Sequence, residues 1–188
     1  MQPAASLGLT IDRAPSPTAE IEDFDAVVRL YWPRVFRFAL ASLRDRDSAE
    51  TVAQDCFLKA YHARERFRGD CAVQTWLMQI AVNLVRDRVR SRRLQFWKSA
   101  VEIDSVSQWI PDGNLSPEAQ TSAREQLEAV WRATERLSGK QRTVFLLRFV
   151  EEMELLEIAA VIGMKEGTVK IHLFRALEAV RKRLGKCR

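Results

Sequence analysis

Two stretches of this 188-residue chain concentrate side chains suited to binding a polyanion. Arg86 to Lys98 (RDRVRSRRLQFWK) carries five Arg and one Lys against Asp87, a local charge of +5. Lys165 to Arg188 carries eight Lys or Arg against Glu166 and Glu178, a local +6. The whole chain is only +5, so the remaining residues sum to −6. Positive charge gathered at two places on an acidic body is the electrostatic footprint of phosphate-backbone binding; two solvated helix faces are the plainer alternative. Other chemistries lack parts. His62 and His172 are the only histidines, too few for His-rich metal sites or a choice of Ser/His/Asp triads. Cys56, Cys71 and Cys187 are odd in number, far apart and never in a C-x-x-C pair, which reads as reduced thiols rather than a disulfide framework or zinc ribbon. An oxidant sensor among them needs an exposed, activated thiolate, and Cys56 falls on an apolar stripe. We therefore expect no catalytic residue, metal or cofactor. Asp45, Asp47, Glu50 and Asp55 can be imagined as the metal ligands of a helical nuclease, but they fit a helix cap and an exposed face better.

The elements that must carry the two basic clusters are helical. Seven Gly and six Pro among many Ala, Leu, Glu and Arg, with 47% hydrophobic and 29% charged residues, predict an all-α soluble protein of one domain or two small ones. No stretch approaches the roughly 20 apolar residues of a membrane span, and MQPAASLGLTIDRAPSPTAE lacks a basic start followed by an apolar run, so a cytoplasmic location is expected. Pro3, Pro15 and Pro17 mark residues 1–20 as a disordered tail.

Residues 21–94 read as a first helical block. Phe24, Val27, Val28, Tyr31, Val35, Phe38 and Ala39 recur at helical spacing, with Pro33 expected to kink or divide the helix. Asp47 with Glu50 resembles a capping box for a second helix that buries Val52, Ala53, Cys56, Phe57, Ala60 and Tyr61. Arg68-Gly69-Asp70 breaks it. A third helix, from about Val73 to Arg93, turns Trp76, Leu77, Ile80, Ala81, Leu84, Val85 and Val89 inward and ends in the first basic cluster.

Over residues 95–115 the period fails and turn-forming residues gather, which predicts a flexible linker. Its Phe96, Trp97, Trp109 and Ile110 are too apolar for a pure spacer and should dock on the protein or a partner. Residues 116–188 form the second block. Ser116-Pro117-Glu118 opens a helix whose stripe is Leu127, Val130, Trp131, Thr134 and Leu137, and Ser138 with Gln141 is a capping box for the next. A helix bearing Ile158, Ala159 and Ile162 then stops at Gly163, and another starts near Gly167-Thr168 with Val169, Leu173, Ala176, Leu177 and Val180 inward. This is a helix-turn-helix. The second helix presents Lys170, His172, Arg175, Arg181, Lys182 and Arg183 outward, as a major-groove recognition helix would; a basic helical hairpin without DNA is the alternative.

GTVKIHLFRAL (Gly167 to Leu177) resembles the G-T-V-[KR]-S-R-[IL]-x-R-A-R signature of the C-terminal domain of bacterial sigma-70-family factors, and the short chain is similar to their extracytoplasmic-function (ECF) group. AETVAQDCFLKAY (Ala49 to Tyr61) resembles that group's core-polymerase-binding helix, and FRGDCAVQTWLMQIAVNLVRDRVRSRR (Phe67 to Arg93) its promoter −10 segment. The resemblance implies a transcription initiation factor that directs core RNA polymerase to promoters and helps open the duplex, with no chemistry of its own, no small-molecule substrate and no membrane insertion. An anti-sigma factor is the further partner implied.

Residue by residue, the resemblance makes Gln54, Asp55, Leu58 and Lys59 polymerase contacts, or else a solvated face. It makes Arg68, Gly69, Asp70 and Cys71, with Asn83, Arg86 and Arg90, the −10 site, where a flipped-out base needs a backbone-lined pocket, a polar reader and cations for the displaced strand. Arg88, Arg92 and Arg93 add charge, while Trp76 fits the core better than a base stack. It places Thr168, Lys170, Ile171, His172, Phe174 and Arg175 at the −35 element, Thr168 acting on phosphate or, by a small preference, as the helix cap. Ile171 stands where the family has a small polar Ser and His172 where it has Arg, so the promoter sequence cannot be borrowed from relatives. Glu102, Asp104, Asp112 and Glu118 supply the acidic charge of the family's connector. A stand-alone helix-turn-helix repressor or activator is the competing reading, and it leaves the Thr75 to Asn83 pattern (TWLMQIAVN) and its basic helix without a purpose.

Overall fold

Asp23 begins the first helix by accepting a 3.0 Å bond from the Ala26 amide, and the helix α1 then runs unbroken over Phe24–Leu43. The computed structural model describes residues 21–96 and 127–185, and every regular element there is helical. The expected tail, the linker residues Trp97, Trp109 and Ile110, the connector acids and the Ser116 cap lie outside them. Pro33 does not divide α1. It is exposed, where water can take the carbonyl its missing N–H leaves free. Arg44 ends the helix in the left-handed conformation (φ 56°), donating its amide to the Leu40 carbonyl at 2.8 Å.

One residue later α2 begins, over Arg46–Ala63, with extended Asp45 as its N-cap and no side-chain cap bond. The expected Asp47–Glu50 capping box is therefore absent: the connection is so short that Asp47 already lies in the first turn, where its charge suits the helix dipole. Tyr61 is also corrected. It is largely exposed, edge-on to Phe24 at 5.3 Å rather than in the core. A short 3₁₀ turn, Arg64–Arg66, leads to a loop and to α3, Val73–Phe96. Phe38, Val35, Cys56, Phe57 and Leu77 fill the space between these helices. Met78, outside the expected stripe, is fully buried because α3 packs on α1 and α2 and also on the second block.

In that block α4 (127–135) buries Trp131 and Thr134. The Ser138–Gln141 capping box opens α5, Gly139–Phe149, as expected. Next come α6, Leu155–Ile162, closed by Gly163 at φ 66°, and α7, Glu166–Leu184. A residue other than glycine at 163 would be strained in that conformation.

The blocks pack on each other, α3 against α6 and α1 against α5. The acidic run between α5 and α6 makes the central polar contact. Glu151 has 0% exposed side chain and takes bonds from Arg37 (Nε to Oε1, 2.9 Å; second guanidinium nitrogen to Oε2, 3.0 Å) and from Arg34 (Nε to Oε2, 3.3 Å). Arg34 also donates to the Glu151 carbonyl at 2.8 Å and to Gln74 Oε1 at 2.7 Å. Burial pushes the Glu151 carboxyl up, while the hydrogen bonds and charges of Arg37 and Arg34 pull it back. Arg142 donates to the Ala41 carbonyl at 3.1 Å, covering an acceptor that the end of α1 leaves open.

Candidate nucleic-acid interface

The recognition candidate α7 starts at Glu166 with Lys165 as its N-cap. Thr168 is therefore in the first turn and does not cap the helix; its exposed hydroxyl keeps the phosphate role open. Val169, Ala176 and Val180 fasten α7 to α5 and α6, leaving Gly167, Lys170, Ile171, Phe174, Arg175, Glu178, Arg181 and Lys182 along the exposed side. Two residues expected to point outward turn inward. His172 is half-buried with Nδ1 out of contact with solvent, and Arg183 donates to the Ala133 carbonyl at 3.1 Å. Lys170 is exposed, but its Nζ lies 2.8 Å from Glu166 Oε1. The four-residue spacing of that pair is legible in the sequence, and its consequence is a lysine already holding an anion.

In the first block the loop from Arg68 to Ala72 lies between Phe67 and α3. Phe67 packs on Trp76 with ring centroids 5.0 Å apart, so Trp76 pins the base of the loop. Gly69 adopts φ 75°, a bend its missing Cβ allows, and presents its neighbours Arg68 and Asp70 to solvent. Cys71 is half-buried, and burial followed by the charge of Asp70 raises its thiol. Cys56 is fully buried and pushed up to about 12 by desolvation, so it is a core thiol and not an activated one.

Beyond the loop, Asn83, Arg86 and Arg90 are exposed on α3. Arg88 is bonded back to Ser48 Oγ at 3.4 Å, and Arg86 stands 3.9 Å from Asp87, both exposed, a pairing of little energetic weight. The side chains of Arg92 and Arg93 lie outside those described. Gln54, Asp55, Leu58 and Lys59 share one exposed side of α2, with Leu58 56% exposed. Among the described residues, no group of three or more His, Cys, Asp or Glu side chains is placed to hold a metal, and no helix is long and apolar enough to cross a membrane.

Residues 27–95 match the family model for sigma-70 region 2, and residues 127–180 that for sigma-70 region 4. The chain is 31% identical over 166 residues to the ECF RNA polymerase sigma factor SigW of Bacillus subtilis, covering 86% of this chain and 88% of the relative. It is 34% identical over 166 residues to the RNA polymerase sigma-H factor of Pseudomonas aeruginosa, covering 86% of each. Among solved structures, the sigma factor RpoE in complex with the anti-sigma factor NepR from Bartonella quintana superposes with a TM-score of 0.69 at 24% identity, over 89% of this chain and 99% of that one.

Proposed function

The chain belongs to the ECF group of sigma-70-family RNA polymerase sigma factors, and from that premise we propose how its surfaces divide the work of initiation. It binds core RNA polymerase and directs it to promoters, and promoter DNA and an anti-sigma factor are its other partners. Family members act as initiation factors without enzymatic chemistry, and we assign this chain none. The observation that carries the reading is the pairing of two separate basic surfaces, the outer side of α7 and the outer side of α3, on two independently matched regions. In our reading residues 21–94 bind core and the −10 element, 116–188 bind the −35 element, and 95–115 connect them.

Gln54, Asp55, Leu58 and Lys59 form the polymerase contact in this scheme. Arg68, Gly69, Asp70 and Cys71 wall the pocket for an extruded −10 base, Asn83 reads a polar base edge, and Arg86 and Arg90 hold the displaced strand. Thr168, Lys170, Ile171, Phe174 and Arg175 face the −35 groove, with half-buried His172 at its margin. The two elements are about 25 base pairs apart by name, or about 85 Å of duplex. Because α3 and α6 touch in the closed packing, that packing must come apart before one chain can read both elements.

Run-off transcription with purified core polymerase on genomic fragments tests the whole reading. We expect start sites that depend on this chain; sequence-specific DNA binding without core would instead favour the stand-alone regulator. Asp55→Lys should cut core association at least several-fold with helical content unchanged, and an unaltered pull-down would remove this side of α2 from the contact. Asn83→Ala should impair a duplex promoter more than a pre-melted one. Equal loss on both templates would argue against a melting role.

A further inference from the structure

At 100° per residue, the first turns of the exposed side of α7 have an apolar middle flanked by cations, and the acidic Glu178 follows on the same line one turn beyond Phe174. Phe174 and Ile171 are about 60° apart around the axis, and Lys170 and Arg175, about 140° apart, bracket them. Phe174 is 68% exposed and Ile171 53%, although both are large hydrophobic side chains on a helix whose other outward residues are mostly charged. Three residues apart, they are surface neighbours and make one patch rather than two stray contacts.

A helix inserted in the major groove points the centre of its exposed side at the base edges and its margins at the phosphate walls. The base edges carry one apolar group, the C5-methyl of thymine. Resting on the assignment of α7 to the −35 element, we propose that Ile171 and Phe174 read thymine methyl groups there, making this chain's −35 preference partly a hydrophobic one. The flanking cations supply charge complementarity for DNA and a poor surface for an apolar protein partner.

The test uses the reconstituted holoenzyme and a promoter recovered by run-off transcription, synthesised with each −35 thymine replaced in turn by deoxyuridine, which removes the methyl and nothing else. Loss of one buried methyl should weaken binding about fourfold, equivalent to about 0.8 kcal/mol. We expect that loss at one or two neighbouring thymines, and indifference to the same replacement in Ile171→Ser or Phe174→Ala holoenzyme. Ile171 is exposed, so its serine variant should fold normally. If every deoxyuridine is tolerated while Arg175→Ala still lowers affinity, the apolar pair faces something other than thymine and the proposal fails alone. If neither change has an effect, α7 is not in the groove and the underlying assignment fails with it.

Discussion

Replacing Arg34 and Arg37 together by alanine is expected to open the chain: its hydrodynamic radius should rise while its helical content stays constant. Glu151 is fully buried in the closed packing, and the two guanidiniums are its charged partners there. Their removal leaves a buried carboxylate without a counter-charge, at a cost of about 3–5 kcal/mol while the blocks stay together. Parting the blocks avoids that cost by returning Glu151 to water. Glu151→Gln should behave differently. It keeps hydrogen-bonding capacity toward the arginines, which are about one-third exposed and remain hydrated without their anion.

The same carboxyl gives the packing a pH signature. Its folded pKa is raised, so its contribution is fully present below the ordinary carboxylate pKa and is lost as pH rises through the raised one. The closed packing of the wild type should therefore weaken as pH rises, and urea resistance of that packing, followed by small-angle scattering, should depend on pH in a way that Glu151→Gln does not. An unchanged radius in the double arginine variant would mean that the other contacts between the blocks, α3 on α6 and α1 on α5, hold them without the Glu151 pairs.

What could be read from the sequence was local. The Ser138–Gln141 box, the Gly163 stop and the alternation of buried Val169, Ala176 and Val180 with exposed Lys170 and Arg175 depend on residues within a few turns of each other. Glu151 was beyond reach for the opposite reason: it stands 114 residues from Arg37, and an acid in the run EEME looks solvated until α1 is placed against it. Pro33 misled because a proline rule ignores which side of the helix the ring occupies. His172 and Arg183 follow the basic pattern of α7 in sequence, but their positions around its axis turn them toward the protein. The helices and most of the exposed side of α7 were thus legible, whereas the contact between blocks was not.

Arg175→Ala is expected to cost roughly 1–3 kcal/mol of promoter affinity and to relax preference at one −35 position. Its side chain is exposed at the margin of the outer side of α7, but its long arm can reach inward past the phosphate wall, and a guanidinium fork can make two hydrogen bonds to a guanine edge, which an ammonium cannot imitate. Lys170 is on the other margin and suits phosphate as a point charge. Lys170→Ala should weaken all promoters alike and lower the slope of affinity against salt by about one unit. The 2.8 Å pair with Glu166 adds a requirement: Lys170 must leave that carboxylate to reach DNA, and the carboxylate then remains beside the phosphates. Glu166→Gln should accordingly strengthen binding to every promoter without changing sequence preference. Holoenzyme affinity, measured across salt concentrations with each −35 base varied, separates these effects. If Arg175→Ala weakened every sequence equally, it would be a phosphate contact, and base discrimination would fall to the apolar centre of α7 with Lys170.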